Sequence, residues 1–100
     1  MNDQRLRIAV VGAGVAGIVA AYLLSRRHDV TLYERNDYIG GHTNTIAVPD
    51  GKGGSMPVDT GFIVFNDRTY PLFTRFLDQL DVKAGKTDMS FSYSERRGSL

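Results

Sequence analysis

The stretch Ile8-Ala-Val-Val-Gly-Ala-Gly-Val-Ala-Gly17, followed by Thr31-Leu-Tyr-Glu34, decides how this chain folds. The apolar run at residues 6–11 predicts a buried strand, and the apolar residues after the last glycine recur at the spacing of one helical face. The β-branched and aromatic run at residues 30–33 predicts a second strand. The order strand, glycine-rich turn, helix and strand indicates a βαβ unit with parallel strands.

The three glycines of the turn have separate physical tasks. Gly12 allows a tight turn out of the first strand, Gly14 leaves room for a pyrophosphate to reach the backbone, and Gly17 lets the helix pack close to the strands. The helix that begins near Val15 directs its unpaired amides, including that of Ala16, and its positive dipole end at the phosphates. This pattern predicts a dinucleotide-binding turn, and the alternative is a strand-to-helix turn without a ligand.

A carboxylate follows the second strand at the position where a dinucleotide needs one. Glu34 lies 22 residues after Gly12, close to the roughly 20 expected for the acidic residue that accepts the ribose hydroxyls. Its negative charge would repel the 2′-phosphate of NADP. The sequence therefore predicts a ribose-binding role for Glu34 and disfavours NADP.

A second glycine pair distinguishes one dinucleotide from another. The segment Glu34-Arg-Asn-Asp-Tyr-Ile-Gly-Gly-His-Thr43 resembles the flavin-binding fingerprint of the amine oxidase, protoporphyrinogen oxidase and phytoene desaturase superfamily. The resemblance implies that Gly40 and Gly41 let the backbone pass close to the phosphates of FAD. It also implies that Arg35 lies near the adenosine, although an ordinary solvated charge is the alternative. The family often has arginine after the pair, and His42 at that place removes a permanent positive charge.

A third stretch, Val58-Asp-Thr-Gly-Phe-Ile-Val-Phe-Asn66, resembles the segment after the glycine pair in bacterial flavin proteins of the amine oxidase type. The resemblance implies that the loop matching residues 59–62 runs close to the flavin ring. There Gly61 would permit a close backbone approach or a positive φ. For Asp59, a place near the flavin ring and a structural role as a turn or capping carboxylate are equally good explanations. The resemblance covers nearly the whole chain, and its sharp motifs lie in residues 8–43.

The predicted fold class is α/β, a Rossmann-like FAD-binding fold with a βαβ unit followed by a β-hairpin and a helix. Residues 43–48 predict a strand, residues 49–54 a hairpin turn and residues 56–58 the returning strand. Proline after Tyr70 predicts the start of a helix. The apolar face of that helix is assigned to packing and comprises Leu72, Phe73, Phe76, Leu77 and Leu80.

The end of the chain predicts an incomplete sheet. Residues 89–94 alternate between apolar and polar side chains, which predicts a half-buried strand, and residues 95–99 are typical of a hairpin turn. A parallel sheet normally has more than two strands and helices on both faces. We therefore expect residues 1–100 to form a single domain segment that is truncated within a hairpin near 95–100.

Composition excludes several classes of function. A net charge of +1 gives no electrostatic case for a nucleic-acid partner. The absence of cysteine excludes disulfides, thiolate metal sites and cysteine catalysis, and is compatible with a reducing cytoplasm. His28 and His42 are isolated and show no metal-ligand spacing. The apolar N-terminal run is interrupted by glycines and is too short for a membrane span, so we predict an unprocessed cytoplasmic protein.

These observations predict the N-terminal FAD-binding segment of a flavin-dependent oxidoreductase that oxidises a small molecule by hydride transfer to flavin. No catalytic residue is predicted, because the isoalloxazine itself accepts the hydride. One alternative is an NAD-dependent dehydrogenase module. Another is a non-catalytic binding protein resembling the Rab GDP-dissociation inhibitors, which share this fold. An unpaired edge of the parallel strands further predicts self-association.

Overall fold

The computed structural model describes residues 3–96, and the chain divides into two compact units between Phe65 and Asn66. The first unit contains, in order, β1 (Arg7–Val11), α1 (Val15–Leu24), β2 (Asp29–Tyr33), β3 (Asn44–Pro49) and β4 (Ser55–Gly61). The second unit contains α2 (Pro71–Gln79). The α/β fold class and the order βαβ unit, hairpin and helix are confirmed, and the elements begin and end within a few residues of the expected positions.

Strands β1 and β2 pair in parallel, with Arg7 opposite Asp29 and Val11 opposite Tyr33. Their carboxyl ends therefore lie side by side, where the glycine-rich turn and Glu34 both begin. The pairing continues into the turn, because the amide of Gly12 donates to the carbonyl oxygen of Tyr33 at 2.7 Å. The parallel βαβ unit thus places the two predicted binding segments at one edge.

Helix α1 packs against both strands. Ile8 and Val10 are half-buried, whereas Arg7, Ala9 and Val11 are exposed, and Val11 is 85% exposed. Among the described residues, the strand predicted as buried is therefore only half-buried, at alternate positions. Alternate side chains of β1 point to opposite faces, and within residues 3–96 helix α1 covers only one of these faces.

The most buried residue of the described chain lies in the glycine turn. Among residues 3–96, Ala13 is the only hydrophobic residue that is fully buried, with 0% exposure. It sits between Gly12 and Gly14, where the turn leaves β1 and enters α1. The best-packed position of the described chain therefore coincides with the predicted dinucleotide site.

The hairpin forms where it is expected. Strands β3 and β4 pair antiparallel, with an irregularity between Asn44 and Thr45. Asp50 closes the turn, because its Oδ1 accepts the amides of Lys52 at 2.7 Å and Gly54 at 3.0 Å. This is the Asx chemistry that favours aspartate at the start of a turn.

In the second unit, α2 starts at Pro71, as the proline predicts, and ends at Gln79. Phe73 and Phe76 are half-buried, in keeping with a packing role, whereas Leu72 is 75% exposed. Among residues 3–96, no helix combines the length and apolar character that crossing a membrane requires.

The strand predicted at residues 89–94 is wrong. Residues 82–96 contain no helix or strand, and Phe91 is 92% exposed. Alternation shows which residues could share a face, but a strand also needs a neighbour for its backbone amides and carbonyls. The described residues provide no such neighbour. Most of the hairpin turn predicted at 95–99 lies outside the described residues.

The helix–strand contact at Gly17 yields a stability test. A Cβ at this position would collide with the carbonyl oxygen of Gly12. We therefore expect Gly17→Ala to destabilise the fold by about 1–3 kcal/mol, the usual range for overpacking, although alanine ordinarily favours a helix over glycine. Chemical denaturation measures the effect.

Gly85→Ala is the matched control, because a Cβ at Gly85 would meet no atom within 4 Å. It should leave the free energy of unfolding nearly unchanged. Equal denaturation midpoints for the two variants would contradict a tight contact at Gly17.

Candidate dinucleotide-binding site

The first glycine turn has the geometry that its spacing predicts. Gly12 has a φ of +98°, a conformation that side chains rarely adopt. Gly17 lies so close to the Gly12 carbonyl that a side chain is excluded. Glycine is required at these two positions by the backbone of the chain itself.

Gly14 differs from the other two glycines. Its backbone is extended, and a Cβ built on it would approach only the Cα of Gly41, at 4.0 Å. The folded chain would therefore tolerate a methyl group at this position. Packing within the described residues does not explain glycine here, so the explanation must be sought in a molecule that approaches the turn.

The start of α1 offers free amides at the same place. The first helical hydrogen bond runs from the amide of Ile18 to the carbonyl oxygen of Gly14, at 2.9 Å. The helix has no side-chain cap and no acidic residue in its first turn. The amides of Val15, Ala16 and Gly17 precede that first bond, so this helix start suits an anion such as a phosphate.

The structure brings the second glycine pair onto the first turn. The amide of Gly40 donates to the carbonyl oxygen of Ala13 at 2.7 Å, and Gly14 and Gly40 form a short parallel bridge. A Cβ at Gly41 would lie 3.0 Å from the Cα of Gly14, and both glycines of the pair have positive φ. Two motifs that are distant in sequence therefore form one backbone surface.

Glu34 reaches the same turn from the end of β2. Its Oε2 accepts the amide of Ala13 at 2.8 Å, and its Oε1 accepts the amide of Asn36 at 3.0 Å. These bonds lower the pKa of Glu34, with the amide of Asn36 as the larger cause and that of Ala13 as the second. A carboxylate has about four acceptor positions. About two remain for hydroxyl groups of a ligand.

The remaining candidate residues are Arg35, His42 and Gly61. Arg35 and His42 are exposed. A Cβ at Gly61 would collide with the carbonyl oxygen of His42, so the expected close backbone approach exists at Gly61. The positive φ lies one residue later, at Phe62, which has a φ of +51°.

Asp59 has a structural partner in the hairpin. The hydroxyl of Thr45 donates to its Oδ1 at 2.6 Å across the two strands. The structure thus supports a structural role for Asp59, one of its two interpretations. The described residues contain no cluster of three or more His, Cys, Asp or Glu side chains that could hold a metal ion.

Sequence reasoning missed Ala13 and Asn36. Both act through backbone amides that donate to Glu34, and the amide is common to every residue except proline. The small side chain of Ala13 between two glycines is the only signal in the sequence. The spacing of Glu34 predicts a ligand contact but does not reveal its hydrogen bonds to the turn.

Comparison with known proteins establishes the family. Residues 10–80 match the family described as NAD(P)-binding Rossmann-like domain. The match spans well over half of the chain and includes both glycine motifs, the acidic residue and the hairpin. The chain therefore belongs to this Rossmann-like family.

Similar proteins include enzymes that use flavin. The chain is 34% identical, over 83% of its length, to a probable flavin-containing monooxygenase 1 of Arabidopsis thaliana. It is 46% identical, over 57% of its length, to a flavin-dependent L-tryptophan oxidase of Lentzea aerocolonigenes. It is 45% identical, over 41% of its length, to a 4,4'-diapophytoene desaturase of Staphylococcus aureus.

The chain spans only 17%, 12% and 8% of the lengths of these three relatives. They nevertheless confirm the resemblance to flavin-dependent oxidoreductases that the glycine pair at residues 40–41 indicates. The activities of these whole enzymes can therefore only be proposed for this chain.

The lowered pKa of Glu34 predicts an acid-dependent stability. Because this pKa is lower in the folded than in the unfolded chain, Glu34 stabilises the fold fully above the ordinary glutamate pKa. The stabilisation is lost as the pH falls through the lowered pKa. We expect the stability difference between wild type and Glu34→Gln to shrink on acidification, measured by denaturation at a series of pH values. A difference that stays constant from neutral to acid pH would contradict the hydrogen bonds of this carboxylate.

Proposed function

We propose that this chain is the N-terminal FAD-binding segment of a flavin-dependent oxidoreductase that oxidises a small molecule by hydride transfer to flavin. The observation that carries the proposal is the contact between Gly14 and Gly41. It joins the glycine turn, the uncapped start of α1 and the second glycine pair into one surface with little side-chain cover. A plain NAD-binding turn does not need the second pair.

The donor set of this surface fits the adenosine and pyrophosphate half of FAD. The amides of Val15, Ala16 and Gly17 suit the phosphates, and the free acceptor positions of Glu34 suit the two ribose hydroxyls. Gly40 and Gly41 would allow the chain to pass beside the phosphates. Arg35, His42 and Gly61 are proposed as further contacts to FAD. Gly61 is included because its backbone lies close to that of His42.

The chemistry divides between cofactor and chain. When bound, the flavin would supply the hydride acceptor, while the protein supplies binding, orientation and electrostatics. The residues of this chain would hold the pyrophosphate at a positive helix end and orient the ribose through a carboxylate. No residue of this segment is proposed to act on the substrate itself.

Three features favour FAD over nicotinamide cofactors. The flavin-dependent relatives and the glycine pair both support FAD, and the charge of Glu34 opposes the 2′-phosphate of NADP. An NAD-dependent dehydrogenase module is the first alternative, and a purified protein without flavin absorbance would favour it. A non-catalytic binding protein is the second, and the free amides at the start of α1 disfavour it because they provide an anion site.

The proposal also covers the substrate, the location and the self-association of the chain. We propose a small-molecule substrate, either an amine or a lipid-like unsaturated compound, because the relatives include an L-tryptophan oxidase and a 4,4'-diapophytoene desaturase. A cytoplasmic location without a nucleic-acid partner remains the proposal from composition. Self-association through the unpaired edges of β1 and β2 is proposed for the segment alone.

Gly14→Val tests the proposed phosphate site in the intact protein. A Cβ here has room in the folded chain, because the nearest chain atom lies 4.0 Å away, whereas a branched side chain would occupy the proposed pyrophosphate position. We expect the purified variant to lose FAD and to keep its fold. Flavin absorbance per protein and circular dichroism measure the two effects.

Gly85→Val serves as the control, because Gly85 also has open space around it. This control should retain as much FAD as the wild type. Stoichiometric FAD in Gly14→Val would remove the glycine turn from the binding site.

A further inference from the structure

We propose that Glu34 fastens the glycine turn in its binding-ready conformation before a cofactor arrives. Glu34 is then a positioning residue as well as the proposed ribose acceptor. The fastening is a property of the chain without ligand. Its consequence for FAD rests on the proposed function.

The hydrogen bonds of Ala13 carry the inference. Its amide donates to Oε2 of Glu34 at 2.8 Å, and its carbonyl oxygen accepts the amide of Gly40 at 2.7 Å. One residue therefore links the turn to the end of β2 and to the second glycine pair. The amide of Asn36, bound to Oε1 at 3.0 Å, holds the carboxylate in place from the other side.

Burial makes this link important. Ala13 is fully buried, and a buried amide without an acceptor is costly in a folded protein. If Glu34 loses its carboxylate, the amide of Ala13 can regain a partner only by moving toward water. Such a movement would displace Gly12 and Gly14 and would open the turn.

The same carboxylate can fasten the turn and bind a ribose at once. Two of its roughly four acceptor positions face the backbone amides, which leaves about two for hydroxyl donors. A ligand would thus add hydrogen bonds without breaking those that hold the turn. If the turn is binding-ready only while Glu34 holds it, the apparent affinity for FAD scales with the fraction of molecules in that state.

Asp50 provides a matched comparison within the chain. It also accepts two backbone amides, those of Lys52 and Gly54, and these bonds lower its pKa. It closes the turn between β3 and β4, and within residues 3–96 its carboxylate bonds to the amides of this turn and not to the glycine turn. Removal of this carboxylate should affect the hairpin turn alone.

The test is amide hydrogen exchange at neutral pH in the intact protein without ligand. In Glu34→Ala the amide of Ala13 should exchange at least about tenfold faster, as expected for a lost bond to a charged acceptor. The amide of Asp29, which donates to Leu6 at 2.8 Å at the opposite end of the sheet, should be unchanged. Asp50→Ala should speed exchange at Lys52 and leave Ala13 unaffected.

A second variant guards against general unfolding. If the amide of Asp29 also exchanges faster in Glu34→Ala, the isosteric variant Glu34→Gln is measured instead. The glutamine side chain has only one oxygen acceptor, so the amide of either Ala13 or Asn36 should lose protection from exchange while the other keeps it. Unchanged protection at both positions would overturn the proposal.

FAD binding kinetics separate the two roles of Glu34. Loss of the fastening should lower the association rate constant, because fewer molecules are binding-ready, whereas loss of a ribose contact should raise the dissociation rate constant. Faster dissociation with normal association and normal protection of Ala13 would leave Glu34 as a ligand only and overturn the fastening. If the wild type binds no FAD but Ala13 responds as expected, the fastening stands and the proposed function fails.

Discussion

The backbone of Ala13 is the point on which the candidate site depends. Its amide and its carbonyl oxygen, which belong to a fully buried residue, are bonded to Glu34 and Gly40. These bonds add to the bond from Gly12 to Tyr33 and to the bridge between Gly14 and Gly40, which join the same segments. With them, the three segments form a single backbone surface beside the start of α1. A ligand that needs phosphate donors and a ribose acceptor meets both on this surface.

The close approach of these backbone segments explains why glycine occupies several of their positions. The turn can lie against the second pair because Gly41 has no side chain, and the end of β4 can lie against His42 because Gly61 has none. Each absent side chain lets two backbone segments approach closely. The shape of the site depends on the burial of Ala13 and on hydrogen bonds. The carboxylate of Glu34 supplies two of them, which explains why one acidic residue can matter to both shape and binding.

Local chemistry makes part of this site predictable from sequence. The turn, the helix start at Val15 and the position of Glu34 at the end of β2 follow from residues of a single βαβ unit, and these elements form where they are expected. The bonds between Glu34 and the amides of Ala13 and Asn36 are not predictable, because backbone amides carry no sequence signal. The strand expected at residues 89–94 fails for a related reason. Alternation describes one strand, but the partner that a strand requires must come from elsewhere.

We propose that this Rossmann-like surface selects FAD. Equilibrium binding of FAD, NAD and NADP to the intact apoprotein, followed by the quenching of flavin fluorescence and by calorimetry, tests it most directly. We expect one FAD per chain, much weaker binding of NAD and the weakest binding of NADP, whose 2′-phosphate would meet the charge of Glu34. Tight binding of NAD with no affinity for FAD would contradict it.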